Sequence, residues 1–137
     1  MTENELINLE PIDKYVESQR DRFIEELRSL VRQPSISSQN NGVKECAEMI
    51  RGMMQEVGID ARVLPTDGQP VVFGHYKSRD AKKTLLIYNH YDVQPVEPLE
   101  EWDSPPFEPA ERDGRLLGRG ASDDKGQVLI HSLGVRA

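Results

Sequence analysis

The sequence predicts an α/β domain in which helices pack on a mainly parallel sheet. Two segments with the apolar spacing of amphipathic helices come first in the chain. Further on, the uninterrupted apolar run Leu85–Tyr88 is typical of a strand that is buried on both faces of a parallel sheet. The 137 residues are enough for one hydrophobic core and one domain.

Two amphipathic helices are predicted near the start of the chain. Apolar residues recur at three- and four-residue spacings over residues 11–32, which predicts the first helix. Pro34 ends this helix because its ring disfavours the helical conformation in Gln33. The second helix is predicted over residues 43–57, and Gly58 stands where a left-handed C-terminal cap is expected.

The residues after Gly58 change to the two-residue period of strands. Apolar and polar side chains alternate over residues 59–64, which predicts a first strand. The turn residues Thr66-Asp67-Gly68 separate it from a second short strand at residues 71–73. Leu85–Tyr88 is predicted to be the central strand of the sheet, because it is continuously apolar.

The last part of the chain combines an irregular stretch with a final helix. Residues 93–114 are predicted to be irregular, because five prolines in that stretch exclude regular hydrogen bonding. A short strand is predicted at residues 115–117. A helix is predicted from Asp124 or Lys125 onward.

Charge and cysteine content exclude several classes of protein. The formal net charge is −7 and the basic residues form no run, so we expect no nucleic-acid partner. Cys46 is the only cysteine, which excludes an intrachain disulfide and favours a reducing compartment. The opening residues are polar and acidic, unlike a signal peptide, and no run reaches the roughly eighteen apolar residues of a membrane span. We therefore predict a cytoplasmic protein without a membrane partner.

His90 and Asp92 follow the apolar run directly and provide the first candidate chemistry. Two-residue spacing places both side chains on the same side of an extended chain. Ligands of open α/β sheets bind outside the carboxyl ends of the strands, which is where this pair falls. An imidazole binds zinc well when a carboxylate holds its second nitrogen, and Asp92 is positioned for that role. The alternative interpretation is a solvated loop that binds nothing.

A glycine-flanked turn carries two further carboxylates. It runs from Gly118 to Gly126 and presents Asp123 and Asp124 just before the predicted last helix. In the alternative interpretation, Ser122 or Asp123 only caps the N-terminus of that helix. The two other histidines, His75 and His131, are expected to be surface or packed residues.

Three stretches of the chain share the motifs of one known family. They are NHYDVQPV at residues 89–96, EWDSPPFEP at residues 101–109 and DGRLLGRGASDDKG at residues 113–126. In order and spacing they resemble the zinc metallopeptidase family of carnosine dipeptidases, acetylornithine deacetylases and succinyl-diaminopimelate desuccinylases. The opening of the chain, including residues 30–37, is similar to that family as well. The residues of the first two stretches most resemble those of the dipeptidase branch.

The resemblance implies a zinc-exopeptidase catalytic fold with two Zn²⁺ ions per complete active site. His90 matches the histidine that ligates one zinc, and Asp123 matches the aspartate that bridges both. Asp92 matches the catalytic aspartate that orients the His90 ring, while Asp124 is expected to be structural. The implied reaction is hydrolysis of the peptide bond of a small dipeptide by a metal-bridging water. The implied full-length protein is a homodimer.

The same resemblance leads us to expect that residues 1–137 are the N-terminal portion of a catalytic domain. The family's general-base glutamate, its remaining zinc ligands and its lid or dimerisation domain have no counterpart in the sequence. We therefore expect the chain alone to be inactive. A sheet cut in half exposes an apolar edge, so we also expect marginal stability or self-association.

Two further functions stay open at the level of sequence. The first is an amino-acid deacylase on the same scaffold, which removes an acetyl or succinyl group. The second is a non-catalytic fragment. Membership of a fold does not choose between substrates, so the sequence leaves these alternatives beside the dipeptidase.

Overall fold

The computed structural model describes residues 8–137. These residues contain three α-helices and four short strands, whose bounds in chain order are α1 (Glu10–Arg32), α2 (Val43–Glu56), β1 (Asp60–Leu64), β2 (Val71–His75), β3 (Ala110–Arg112), β4 (Arg115–Leu117) and α3 (Lys125–Arg136). The combination of helices and sheets confirms the predicted α/β class. No signal peptide is expected in the opening residues 1–10, and residues 1–7 of that segment lie outside the described residues.

The predicted helices form with nearly the predicted bounds. α1 carries Pro11 in its first turn and ends where Gln33 becomes extended, with ψ at 112°, before Pro34. α2 is followed by Gly58 at φ +84°, a left-handed conformation that glycine adopts without steric cost. α3 begins at Lys125, as predicted. Among the described residues, every helix lacks the length or the apolar character that a bilayer span requires.

The strands form two separate antiparallel pairs. β1 pairs with β2 from Asp60 opposite His75 to Leu64 opposite Val71, and β3 pairs with β4. Parallel pairing within residues 8–137 is limited to one isolated bridge, between Ile36 and Val93. The mainly parallel sheet of the sequence prediction is therefore not formed by the described residues themselves.

The predicted central strand, Leu85–Tyr88, is also absent as a strand. Its four side chains are between 46% and 88% exposed, and none of the four residues lies in a described strand. A strand that is buried on both faces needs neighbours that pair with its backbone and layers that cover its faces. Residues 8–137 provide neither at this position, so the apolar run stays extended and open to solvent.

One strand formed where the sequence predicted irregular structure. β3 lies within residues 93–114 and joins β4 through Asp113 and Gly114, which both have positive φ values, of 51° and 71°. An Asp-Gly pair between two short strands is the signal of a tight hairpin turn. The prolines upstream masked that signal in the sequence analysis.

The core lies between the C-terminal half of α1, α2 and the loops that lead to the functional residues. Its buried apolar side chains are Leu30, Val31, Ile36, Val43, Cys46, Ala47, Ile50, Ile59, Ala61, Val93, Val96 and Leu129. Val93 and Val96 belong to the segment that follows His90. The core therefore anchors one side of the candidate site.

Lys125 is completely buried at the start of α3. Its Nζ atom donates hydrogen bonds to the carbonyl oxygens of Leu30 and Gln33 at the end of α1. Carbonyls in the last turn of a helix have no partner within the helix, so Lys125 satisfies two of them. Burial lowers the pKa of Lys125. This contact fixes the start of α3, and with it the turn that carries Asp123, against α1.

Candidate metal centre

The segment that carries His90 is attached to the connector between α1 and α2. The Val93 backbone N–H donates to the Ser35 carbonyl at 2.9 Å, and the Ser35 hydroxyl donates to the Tyr91 carbonyl at 2.6 Å. Ser35 is fully buried. Two hydrogen bonds to one buried residue therefore hold the backbone on the C-terminal side of His90.

The two ring nitrogens of His90 face two different acidic residues. Nε2 lies 3.0 Å from Oδ1 of Asp123. Nδ1 lies 3.1 Å from the carbonyl oxygen of Asp92 and 3.3 Å from its Oδ1. A donor hydrogen on Nδ1 would leave Nε2 free to act as a metal ligand.

Asp92 is held in its turn by Ser37. The Ser37 hydroxyl donates to Oδ2 of Asp92 at 2.6 Å, while Oδ1 of the same carboxylate faces the His90 ring. Ser37 lies in the short 3-10 helix Ser37–Gln39 between α1 and α2. The connector therefore fixes the Asp92 carboxylate as well as the backbone beside it.

Asp123 and Asp124 point their carboxylates at different parts of the His90 segment. Asp123 directs one oxygen at the imidazole and its side chain is 88% exposed. Oδ2 of Asp124 accepts from the His90 backbone N–H at 3.0 Å and from Nδ2 of Asn89 at 2.9 Å. The peptide bond between the two aspartates is cis. Asp124 thus serves as a structural clamp, while Asp123 stays open to a ligand.

The surroundings of His90 favour its protonated form in the metal-free chain. Partial desolvation opposes the positive charge, but the Asp92 carbonyl and the Asp123 carboxylate outweigh it and raise the pKa of His90. A proton and a metal ion compete for Nε2. Metal binding at His90 is therefore expected to release a proton and to weaken as the pH falls.

The donors of His90 and Asp123 fit a zinc ion. Two ligands about 2.0–2.1 Å from a tetrahedral zinc lie roughly 3.3 Å apart, and Nε2 and Oδ1 are 3.0 Å apart. The exposed Asp123 carboxylate has a second oxygen for a second cation. Over residues 8–137, His, Cys, Asp and Glu side chains form no group of three or more that could hold a metal ion. The described residues thus present one pair of donors at a spacing that a zinc ion would accept.

The structure brings together all three residues that the sequence analysis selected, His90, Asp92 and Asp123. It adds Ser37, which holds Asp92, and Asn89, which contacts Asp124. A serine or an asparagine gives no chemical signal in a sequence, so only the folded chain identifies these two.

Comparison with known proteins supports the family resemblance. The sequence profile of the peptidase family M20/M25/M40 matches residues 86–137, which include His90, Asp92 and Asp123. Residues 86–137 are therefore similar to part of an M20 peptidase. The resemblance found in the sequence is thereby confirmed.

The curated relatives of the chain include two kinds of hydrolase. The chain is 33% identical to the Cys-Gly metallodipeptidase dug1 of Schizosaccharomyces pombe, over 90% of this chain and 29% of that protein. It is 35% identical to a succinyl-diaminopimelate desuccinylase of Bordetella avium, over 80% of this chain and 28% of that protein. The chain therefore spans less than a third of the length of these relatives.

A solved structure confirms the fold of this segment. The chain matches an M20 family metallo-carboxypeptidase, Sso-CP2 of Sulfolobus solfataricus, with a TM-score of 0.79 and 38% identity. The match covers 83% of this chain and 26% of that structure. The described residues thus adopt the fold of part of an M20 peptidase, although they lack the strand pairing that the sequence analysis predicted for Leu85–Tyr88.

Proposed function

We propose that the complete protein containing this chain is a dinuclear zinc dipeptidase, and that His90 and Asp123 are two of its zinc ligands. The observation that carries the proposal is the 3.0 Å approach of His90 Nε2 to Asp123 Oδ1, across 33 positions of sequence. The two groups are an imidazole and a carboxylate, which are donor types that zinc prefers. Both lie within the residues that match the M20 profile.

Each of the three polar side chains has a distinct role in this proposal. His90 binds one cation through Nε2. Asp123 would supply an anionic carboxylate to both cations, which would offset the repulsion between them. Asp92 accepts a hydrogen bond from His90 Nδ1, which fixes the tautomer and the plane of the ring. Zinc bound there would supply Lewis acidity and activation of water for amide hydrolysis.

The chain is proposed to be the N-terminal portion of the catalytic domain. We propose that residues 1–137 alone are inactive, because two ligands are fewer than a zinc site needs and the family's general-base glutamate would lie elsewhere in the complete protein. The base, the other ligands and a lid or dimerisation domain would then come from other parts of the complete protein, which we propose is a cytoplasmic homodimer. The relatives' greater length supports this division.

The substrate is proposed to be a small dipeptide. The relatives named as Cys-Gly and cysteinylglycine-S-conjugate dipeptidases, 33% and 35% identical to the chain, support this choice. A second candidate is an N-acyl amino acid, and the desuccinylase relative at 35% identity favours it. Both reactions hydrolyse an amide bond, so the same pair of zinc ligands serves either.

The test uses the complete protein and both substrate classes. Zinc-dependent release of amino acids from dipeptides, with little hydrolysis of succinyl or acetyl amino acids, supports the proposal; the reverse preference supports the deacylase. Asp123→Asn should reduce kcat/KM by at least about 1000-fold, because the bridging anion is lost. Asp80→Asn, on an exposed loop, is the matched control and should keep full activity. Activity that survives in Asp123→Asn, or that survives complete removal of metal, contradicts the proposal.

A further inference from the structure

Asn89 lies between two residues of the C-terminal part of the chain. Its Nδ2 donates to Oδ2 of Asp124 at 2.9 Å, and its Oδ1 lies 2.8 Å from Nδ1 of His131. Asp124 precedes α3 and His131 lies two turns into that helix. One amide side chain therefore joins the segment before His90 to two points on the last part of the fold.

The chemistry of the three side chains determines which group donates and which group accepts in each of these hydrogen bonds. Oxygen atoms of a carboxylate accept hydrogen bonds, so the amide must turn its NH₂ group towards Asp124. Its oxygen then faces His131, which must carry a hydrogen on Nδ1 in order to donate. His131 thus fixes the orientation of the Asn89 amide. Without that contact, only the hydrogen bond to Asp124 would hold the amide in this orientation.

Asn89 matters because no strand holds the chain just before it. Leu85–Tyr88 pairs with no other strand in residues 8–137. On the other side of His90, Ser35 holds Tyr91 and Val93. The Asn89 side chain and the His90 N–H, both on Asp124, are the corresponding attachments on the N-terminal side. They set where the His90 ring stands relative to the neighbouring Asp123.

We propose that Asn89 is a positioning residue for the zinc pair, oriented by His131 and acting through Asp124. The inference rests on the proposed role of His90 and Asp123 as zinc ligands. Asn89 touches neither the metal nor a substrate; it holds the His90 backbone so that Nε2 meets Oδ1 of Asp123. His131, which the sequence analysis treated as a surface or packed residue, thereby gains a role in orientation.

The test measures zinc binding to the complete protein by competition with a chelator, and the His90 signals of the metal-free 137-residue chain by NMR. Asn89→Ala should weaken zinc binding about 10-fold, in the range found for residues that orient metal ligands. It should also move the His90 amide proton upfield in the metal-free chain, because a hydrogen bond to a carboxylate is loosened. Gln127→Ala, which removes an exposed amide one turn before His131 on α3, is the matched control and should change neither quantity.

Asn89→Asp separates positioning from simple electrostatics. An added carboxylate near a cation site attracts zinc, so an electrostatic effect alone predicts tighter binding. Positioning predicts weaker binding, because two carboxylates then face each other at residues 89 and 124 and push the His90 backbone away. His131→Phe should weaken binding about threefold, the effect of one neutral hydrogen bond, while His131→Gln keeps a donor and retains affinity.

Several results would overturn the inference. Zinc affinity that is unchanged in Asn89→Ala, or increased in Asn89→Asp, excludes a positioning role, and an unchanged affinity in His131→Phe excludes the orienting role of that histidine. Circular dichroism during urea unfolding serves as a check on folding. A loss of affinity that only matches the unfolded fraction also counts against positioning. If zinc fails to bind the complete protein at His90 and Asp123, the proposed function fails instead, while the metal-free His90 amide shift still tests the Asn89 contact.

Discussion

The Nζ atom of Lys125 donates a hydrogen bond to the carbonyl oxygen of Leu30 at 3.1 Å, although Lys125 is completely buried. The contact joins the first residue of α3 to the last turn of α1, 95 positions away. It holds in place the turn that carries Asp123. The stability of the fold and the geometry of the candidate metal centre are therefore linked through one side chain.

Replacement of Lys125 by methionine should destabilise the chain by about 1–3 kcal/mol, because two helix-terminal carbonyls lose their donor. Methionine keeps most of the side-chain volume. The change in the free energy of unfolding therefore comes mainly from the lost hydrogen bonds and less from a cavity. Urea unfolding followed by circular dichroism measures it. The exposed Lys44 of α2 provides the control variant Lys44→Met, which should lie within about 0.5 kcal/mol of the parent.

The lowered pKa of Lys125 also predicts a pH dependence of stability. The unfolded chain holds the lysine proton up to its ordinary pKa of about 10.4, whereas the folded chain releases it at a lower pH. Between these two values the unfolded state binds more protons, so stability rises with pH. Lys125→Met should lack this rise. An identical pH profile in the parent and in the variant would contradict the assignment.

His90 should titrate above its ordinary pKa of about 6.5 in the metal-free chain. Because protonation is favoured by folding, the stability that His90 contributes is complete below its unfolded pKa and is lost as the pH rises through the folded value. NMR titration of the imidazole protons measures the folded pKa directly. Asp123→Asn should lower that pKa, since a carboxylate contact is removed; no change on this substitution would show that the two side chains do not meet in solution.

Gly120 should tolerate no side chain. It has φ +86°, and a Cβ built there would lie 2.8 Å from Cγ1 of Val93 and 3.1 Å from Cδ of Lys125. Gly120→Ala is expected to cost about 1–3 kcal/mol of stability, from backbone strain and from displacement of neighbours. Gly134, inside α3 with open space around it, gives the opposite expectation: Gly134→Ala should stabilise by up to about 1 kcal/mol. Thermal or urea unfolding of the pair compares them directly.

The exposed run Leu85–Tyr88 should cause self-association of the isolated chain. Leu86 is 88% exposed, so Leu86→Lys removes apolar surface without loss of packing and should shift the chain towards the monomer. Sedimentation velocity at several concentrations provides the measurement. Leu99→Lys, at another exposed apolar position, is the control and should have a smaller effect. A parent chain that stays monomeric at high concentration would refute this expectation.

Elements with local signals could be predicted from the sequence. Pro34 and Gly58 set the ends of the first two helices within one or two residues, because each acts on the backbone beside it. Leu85–Tyr88 could not be predicted in the same way. Its apolar character is local, but a strand also needs pairing partners, and residues 8–137 supply none to it.

The contacts of the candidate site were likewise hard to predict from local sequence signals. The approach of His90 to Asp123 was anticipated only through the family resemblance, since 33 positions separate the two residues and no periodicity relates them. The contact of Asn89 with His131 spans 42 positions. Neither residue type marks such a pairing in a sequence, so it became visible only once α3 was placed beside the His90 segment.

Because His90 and Asp123 are far apart along the chain, zinc binding should also affect the stability of the fold. Between them lie the proline-rich stretch and the β3–β4 hairpin, tied down by few strand contacts. An ion held by both ends would stabilise only the folded chain, because the unfolded chain does not hold these two donors together. Added zinc should therefore raise the free energy of unfolding once its concentration exceeds the Kd, and a chelator should remove that gain.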